Sequence, residues 1–204
     1  MSITRDHWNG VYTTKGETEV SWYQLHPEPS LTYIKSAAPN PSASVLDVGG
    51  GTSTLVDELL DQGYSDLTVL DVSESALARS KARLGLQASK ISWIVADITT
   101  WRPQRTWQVW HDRAVFHFLT ALADQDAYIS SLTRATVPGS KVVISCFALD
   151  GTERCSGLPV QRYSPAMLAA RIGGDFKLVS ESSEQHVTPW QSVQKFMYAV
   201  LERG

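Results

Sequence analysis

Five short apolar runs punctuate the chain, and between them apolar residues recur at the spacing of a helix face. Val45, Leu46 and Val48 form the first run, Leu67 to Asp71 the second, residues 91–96 the third, 107–111 the fourth and Val142 to Phe147 the fifth. Between the first two, Leu55, Val56, Leu59 and Leu60 fall on one face of a helix predicted over Ser53 to Gln62 and stopped by Gly63. Ser73-Glu74-Ser75 opens the next helix, which carries Leu77 and Leu84 up to Gly85, and a further one spans about 122–136, ending at Pro138-Gly139. The fifth run shows no polar alternation, as expected for a strand buried on both faces of a parallel sheet. Strand and helix alternating in this way predict an α/β chain with a doubly wound, mostly parallel sheet.

The C-terminal part breaks the alternation. Ser164 caps a helix over Pro165 to Gly173, and two β-like runs follow, Phe176 to Ser182 and Val193 to Leu201, with no helix between them. Strands joined without a crossover helix pair antiparallel, which places these two at the sheet edge. Ala38 to Ser44, rich in Pro, Ser and Ala, is linker-like and divides one domain over 1–204 into an aromatic N-terminal helical cap at 1–43 and a core at 44–204.

At 204 residues the chain can bury a full core, and 18 Lys and Arg against 21 Asp and Glu leave a formal charge of −3. Without a basic footprint, a nucleic-acid partner is disfavoured. Met1 to Trp8 has no apolar targeting core and no long apolar stretch follows, so a soluble, cytoplasmic protein without a membrane partner is expected, as monomer or homodimer. Cys146 and Cys155 fit no zinc spacing and no disulfide framework, so no metal is expected.

The first strand runs directly into Gly49-Gly50-Gly51 and then a helix start, an arrangement that presents free backbone N–H groups to a ligand. A tight turn with nothing bound also accounts for three glycines. The context narrows this: about twenty residues on, the second run ends in Asp71, where a doubly wound sheet holds ribose hydroxyls. The glycines are contiguous rather than spaced as in a dinucleotide loop, and Asp47 stands two residues before Gly49. A carboxylate there repels a diphosphate and suits a cofactor with an ammonium group.

Asp47-Val48-Gly49-Gly50-Gly51-Thr52-Ser53 resembles the first motif of the class I S-adenosylmethionine-dependent methyltransferases, with Ser53 where that family often has its last glycine. Val69 to Ser73 resembles its second motif and Trp93 to Ile98 its third. The resemblance implies a Rossmann-like sheet of seven strands with the last antiparallel, S-adenosylmethionine as cofactor and S-adenosylhomocysteine as product. It implies that Asp71, with Val72 and Ser73 beside it, binds the ribose, that Asp97 meets the adenine amino group with Ile98 on the ring, and that Asp47, Gly49, Gly50, Gly51, Thr52 and Ser53 form the cofactor loop. Trp107 to Leu119 matches the fourth strand and a loop facing the transferable methyl, which adds Asp112, Arg113 and His117 to the cofactor's surroundings. His7 to Tyr12 and Ser21 to Gln24 resemble the cap of a subgroup that includes protein-lysine methylators, and Trp22 is expected near the sulfonium as an aromatic wall.

Methyl transfer from a sulfonium needs alignment and exclusion of water, and a base where the acceptor arrives protonated. His117, Asp112 and His186 are the candidates for catalysis. His117 is either that base or a packing group. Asp112 either fixes the cofactor's amino group or pairs with Arg113. His186, in the turn predicted over Gln185 to Trp190, either reaches the substrate or bonds a neighbouring loop. Asp150 to Tyr163 is long for a strand-to-helix connection and reads as a lid or substrate site, with Cys155 either inert or reactive. A small-molecule acceptor, such as a thiol or another soft nucleophile, is the first reading. A protein lysine is the alternative, and a non-enzymatic cofactor-binding domain the third.

Overall fold

The computed structural model describes residues 5–204, and the first four residues of the predicted cap lie outside it. Helices α1 (Arg5–Thr14) and α2 (Glu28–Ala37) precede β1 (Ser44–Val48), α3 (Leu55–Asp61), β2 (Asp66–Asp71), α4 (Glu74–Leu84), β3 (Ile91–Val95), β4 (Val109–Arg113), α5 (Leu122–Ala135) and β5 (Lys141–Phe147). A short hairpin of β6 (Arg154–Cys155) and β7 (Leu158–Pro159), then α6 (Pro165–Ile172), β8 (Phe176–Val187) and β9 (Val193–Arg203), complete the chain. Among the described residues no helix is long and apolar enough to cross a membrane.

Seven strands form one sheet in the order β3-β2-β1-β4-β5-β9-β8. β1 pairs parallel with both β2 and β4, so the chain runs outward from β1 to β3 and then restarts on the other side of β1. That reversal leaves the carboxyl ends of β1 and β4 side by side, Val48 opposite Asp112, with a crevice outside them where ligands of such sheets bind. β9 is antiparallel to both its neighbours and so is the one reversed strand, as expected. It inserts between β5 and β8, which leaves β8 at the edge with a mostly exposed run of Ser, Glu and Gln, a composition that discourages further strand addition.

Alternation along the strands decides which side each polar group faces. On β1, Val45 joins the core layer of Leu31, Ile34, Leu55 and Leu59 from α2 and α3, while Leu46 and Val48 join that of Tyr128, Leu132 and Leu168 from α5 and α6. Asp47 therefore faces the α2 side, and on β4 His111 and Arg113 share that side while Trp110 and Asp112 face α5.

Three differences from the sequence reading bear on the site. β4 starts and ends two residues later, because the Trp107 amide donates to Ala135 O at 2.8 Å instead of joining the ladder, and this brings Asp112 and Arg113 into the strand. α3 starts at Leu55 because a turn closes first, Ser53 N to Gly50 O at 2.8 Å; Ser53 Oγ still accepts from the Leu55 amide at 3.1 Å. β8 runs to Val187, so His186 lies in a strand rather than a turn.

Candidate active site

Gly49 and Gly51 take φ of 69° and 50°, the left-handed region that glycine enters freely. A Cβ on Gly49 would stand 2.0 Å from Val115 Cγ2, and one on Gly51 2.8 Å from Tyr12 Oη. The loop is thus stripped of side chains first to admit the protein's own groups, a reason that the sequence pattern alone does not show.

Two chambers open outside this loop. The larger spans about 800 Å³ with its solvent-open mouth included, with Gly49, Asp71, Val72, Asp97 and Ile98 on its walls, and Trp8, Tyr12, Trp22 and Phe118 also line it. The smaller, about 540 Å³, is lined by Asp47, Gly50, Thr52, Ser53, Ser30 and His111. Tyr12, Trp22, Gly49 and Arg113 border both. Most of the residues named from the sequence are therefore brought together. Gly51, Ser73, Asp112, His117 and His186 line neither chamber.

Asp71 Oδ1 accepts from the Ser73 amide at 2.7 Å. Burial pushes its carboxyl up to about 7, against the backbone amides of Ser73, Gly51 and Val72, which favour the ionised form. Ser73 caps α4, accepting from the Ala76 amide at 3.1 Å and donating to Asn9 Oδ1 at 2.8 Å, so it ties α1 to α4 behind Asp71. On β3's far end, Asp97 Oδ1 accepts from the amide and hydroxyl of Thr99 at 2.9 and 2.7 Å. In the smaller chamber Asp47 Oδ1 lies 2.7 Å from His111 Nδ1, and His111 Nε2 lies 2.9 Å from Ser30 Oγ. A carboxylate only accepts, so Nδ1 carries the proton toward Asp47, and the ring is held at its other end by the serine hydroxyl.

Asp112 does not pair with Arg113, since the two side chains leave opposite faces of β4. Fully buried, it accepts from the amides of Val115 and Phe116 at 2.8 and 3.1 Å and from Tyr128 Oη at 2.7 Å. Burial raises its carboxyl to about 6, opposed by these donors. It shapes the turn after β4 and is walled off from ligand.

His117 is likewise fully buried, stacked on Phe147 at 4.8 Å, with the Phe147 amide pointing at Nδ1 from 3.4 Å. Burial pushes it down to about 3, with the Arg113 charge adding to the effect, so it stays neutral at working pH. A group that protonates near 6.5 unfolded and near 3 folded gives stability that is complete above 6.5 and lost as pH falls through that window. His117→Phe is therefore expected to gain melting temperature over the parent as pH falls from 6.5 towards 3, as followed by melting curves against pH.

His186 Nε2 donates to Ser21 O at 2.6 Å, pinning the segment that carries Trp22. It lines a separate surface groove with Tyr23 and Gln24, not the ligand chambers. Arg113 Nη1 donates to Trp22 O at 3.3 Å, its guanidinium lies 4.4 Å over the Phe196 ring, and Nη2 is 3.6 Å from Glu184 Oε2. Glu184 also accepts from Gln24 Nε2 at 2.6 Å and Tyr198 Oη at 3.1 Å. Ser30, Val115 and Glu184 went unseen in the sequence. Only β4's true register, which sets His111 opposite Asp47, could have exposed the first of these.

Residues 45–139 match the family model described as a methyltransferase domain. The chain is 31% identical over 109 residues to a mouse (Mus musculus) eEF1A lysine and N-terminal methyltransferase, matching 53% of this chain and 15% of that protein. It is 28% identical over 161 residues to mouse EEF1A lysine methyltransferase 2, matching 70% of this chain and 65% of that one. The chain thus spans only a small part of the first relative's length. Among solved structures, NodS, an N-methyltransferase from Bradyrhizobium japonicum WM9 in complex with S-adenosyl-L-homocysteine, superposes with a TM-score of 0.74 at 14% identity over 98% of both chains. A protein that converts a disulfide bond into a thioacetal group during echinomycin biosynthesis superposes with a TM-score of 0.77 at 19% identity, over 98% of this chain and 92% of that one. The chain shares the fold of these proteins, and its residues 45–139 are similar to a methyltransferase domain.

Proposed function

We propose that this chain is an S-adenosylmethionine-dependent methyltransferase acting on a small-molecule acceptor. The observation that carries the reading is the pairing of buried carboxylates across the glycine loop. Asp71 stands on the larger chamber's wall and Asp47 on the smaller's, a fit for a ribose diol at one end and an ammonium-bearing tail at the other.

When bound, the cofactor supplies an electrophilic sulfonium methyl group. Ionised Asp71 would accept from the ribose hydroxyls, and Asp97 and Ile98, farther along the same chamber, would hold the adenine. Asp47, oriented by His111 and Ser30, faces the ammonium, and Gly49, Gly50, Thr52 and Ser53 enclose the rest of the tail. Trp22 and Tyr12 cover the junction of the two chambers, shedding water and offering ring faces to a cation. His117, Asp112 and His186 hold this frame in place and move no proton.

A small acceptor suits the cover that α1, Trp22 and the β6–β7 hairpin place over the larger chamber, and the formal charge of −3 offers no polyanion site. A protein lysine is the second reading, favoured by the likeness to the two mouse eEF1A lysine methyltransferases. Adding S-adenosylmethionine is expected to raise the melting temperature and to give a saturable heat in calorimetry. With methyl-labelled cofactor and a filtered lysate, the label is expected below the filter cut-off. Label confined to large material would instead select the lysine reading.

A further inference from the structure

Arg113 is the only cation among the described residues that line the larger chamber, and it borders the smaller one as well. It therefore stands where the cofactor's tail and nucleoside parts meet, beside the transferable methyl. Its side chain is 10% exposed, and its Nε and Nη2 are buried without a hydrogen bond. Glu184, the Trp22 carbonyl and the Phe196 ring hold it from behind.

Nothing at this end serves as a base. Burial pushes Cys155 up to about 11, with Arg113 opposing, and His186 is lowered by burial and then by Arg113. His117 is held neutral by the same pair of causes, and burial raises Tyr198 against the Arg113 charge. Asp71 serves the ribose, and burial pushes the Tyr12 phenol far up, with the Asp71 charge adding to it. An ammonium acceptor here would meet a buried cation and find no group to take its proton. The rest of that end is apolar, with Trp8, Trp22, Val115, Phe118 and Leu119 in it, and a weakly hydrated thiolate is desolvated there at a smaller cost than a strongly hydrated carboxylate.

Resting on the methyltransferase reading above, we infer that the acceptor is a small thiol that reacts as its thiolate, stabilised by Arg113, with Glu184 as a positioning residue. The thiol proton leaves to solvent as the acceptor binds. The thiolate lone pair forms the new S–CH3 bond while the sulfonium S–CH3 bond breaks and its electron pair returns to the cofactor sulfur. The products are a thioether and neutral S-adenosylhomocysteine. Anion and cation annihilate each other, a step helped by exclusion of water.

Benzyl mercaptan, benzylamine and benzoate are three probes of like shape, and methylated product from each can be counted by mass spectrometry. Product is expected from the thiol alone, with the acid limb of kcat lying below the free thiol's own titration. Arg113→Gln is expected to lower kcat at neutral pH about a hundredfold and move that limb upward, with cofactor affinity kept within about threefold. Arg113→Lys recovers most of the rate, and Glu184→Gln, which bares the cation, moves the limb the opposite way. Opposite displacements are not what simple damage to the fold produces. Methylation of benzylamine or benzoate with the thiol inert, no product from any probe while the cofactor binds, a limb unmoved in Arg113→Gln, or loss of cofactor affinity in step with rate overturns the inference. Failure of S-adenosylmethionine to bind the unaltered protein in calorimetry is a different result and removes the methyltransferase reading itself.

Discussion

Replacing Asp71 by Asn is expected to weaken S-adenosylmethionine binding about a hundredfold while making the ligand-free protein more stable above pH 7. Both effects come from one carboxyl. Two ribose hydroxyls donating to a buried carboxylate make charge-assisted hydrogen bonds, and an amide that accepts at one atom only replaces them poorly. Burial moves this carboxyl from an ordinary 3.8 to about 7, so ionising it costs the folded state about 4 kcal/mol. The folded chain holds the proton through a range where the unfolded chain has released it, so stability falls as pH rises from 3.8 to 7. Asn has no proton to lose. The gain in melting temperature over the parent should thus grow up to pH 7 and vanish near pH 4. Cofactor affinity in the parent runs the other way, falling about tenfold per pH unit below 7, where the carboxyl that must accept is protonated. Calorimetric titrations and melting curves across pH 4 to 8 measure both. A variant that binds like the parent, or one that melts lower than the parent at pH 8, would count against Asp71 as the ribose ligand held at a stability cost.

His117 acts with the opposite sign over an overlapping range, because burial lowers it from 6.5 to about 3. Between 3.8 and 6.5 the histidine withdraws stability as pH falls while Asp71 returns it. Asp112, raised to about 6, acts with Asp71, so in the parent two carboxyl slopes outweigh the one histidine slope between 3.8 and 6. Asp71→Asn should therefore leave melting temperature nearly flat over that range, and adding His117→Phe should make it rise again as pH falls, so the double variant tests both assignments together.

Much of this was readable from the chain. The apolar runs marked five strands, Gly63 and Gly85 marked helix ends, and the spacing from Gly49 to Asp71 put a carboxylate at the end of β2 beside the glycine loop. These are local signals, set by residues within one element and its turn. What was missed depends on long-range register. Shifting β4 by two residues moved Asp112 and Arg113 from a loop into a strand, where consecutive side chains part to opposite faces. Asp112 then meets Tyr128, and Arg113 meets Glu184 on a strand about seventy residues later, a partnership that spacing cannot show. His111 and Asp47 likewise meet only because their strands are register partners. His117 looked chemical because it sits among polar neighbours in sequence, but a one-turn helix at Phe116–Phe118 rotates it into the core.

The glycine loop gives the second large effect, Gly49→Ala, expected to cost about 4 kcal/mol. Part is backbone strain, since alanine at φ 69° enters the left-handed region at about 1 kcal/mol or more. The larger part is the methyl itself, placed 2.0 Å from Val115 Cγ2, where one of the two must move. Val115 has little room to retreat. Its amide is held by Asp112 Oδ1 at 2.8 Å, and Ala114 before it already stands at φ 74°. Val115→Ala removes the obstructing methyl groups at a smaller cost of about 1 kcal/mol, since the side chain is only partly buried against the core. In the double variant the steric part should disappear and the strain remain, leaving a coupling of about 3 kcal/mol in denaturant titrations. Additive costs would mean that the loop yields elsewhere and that Val115 does not set its shape. Gly49 also borders both chambers, so if the double variant regains stability yet still binds S-adenosylmethionine weakly, the added methyl meets the cofactor too, and the glycine answers to protein and ligand alike.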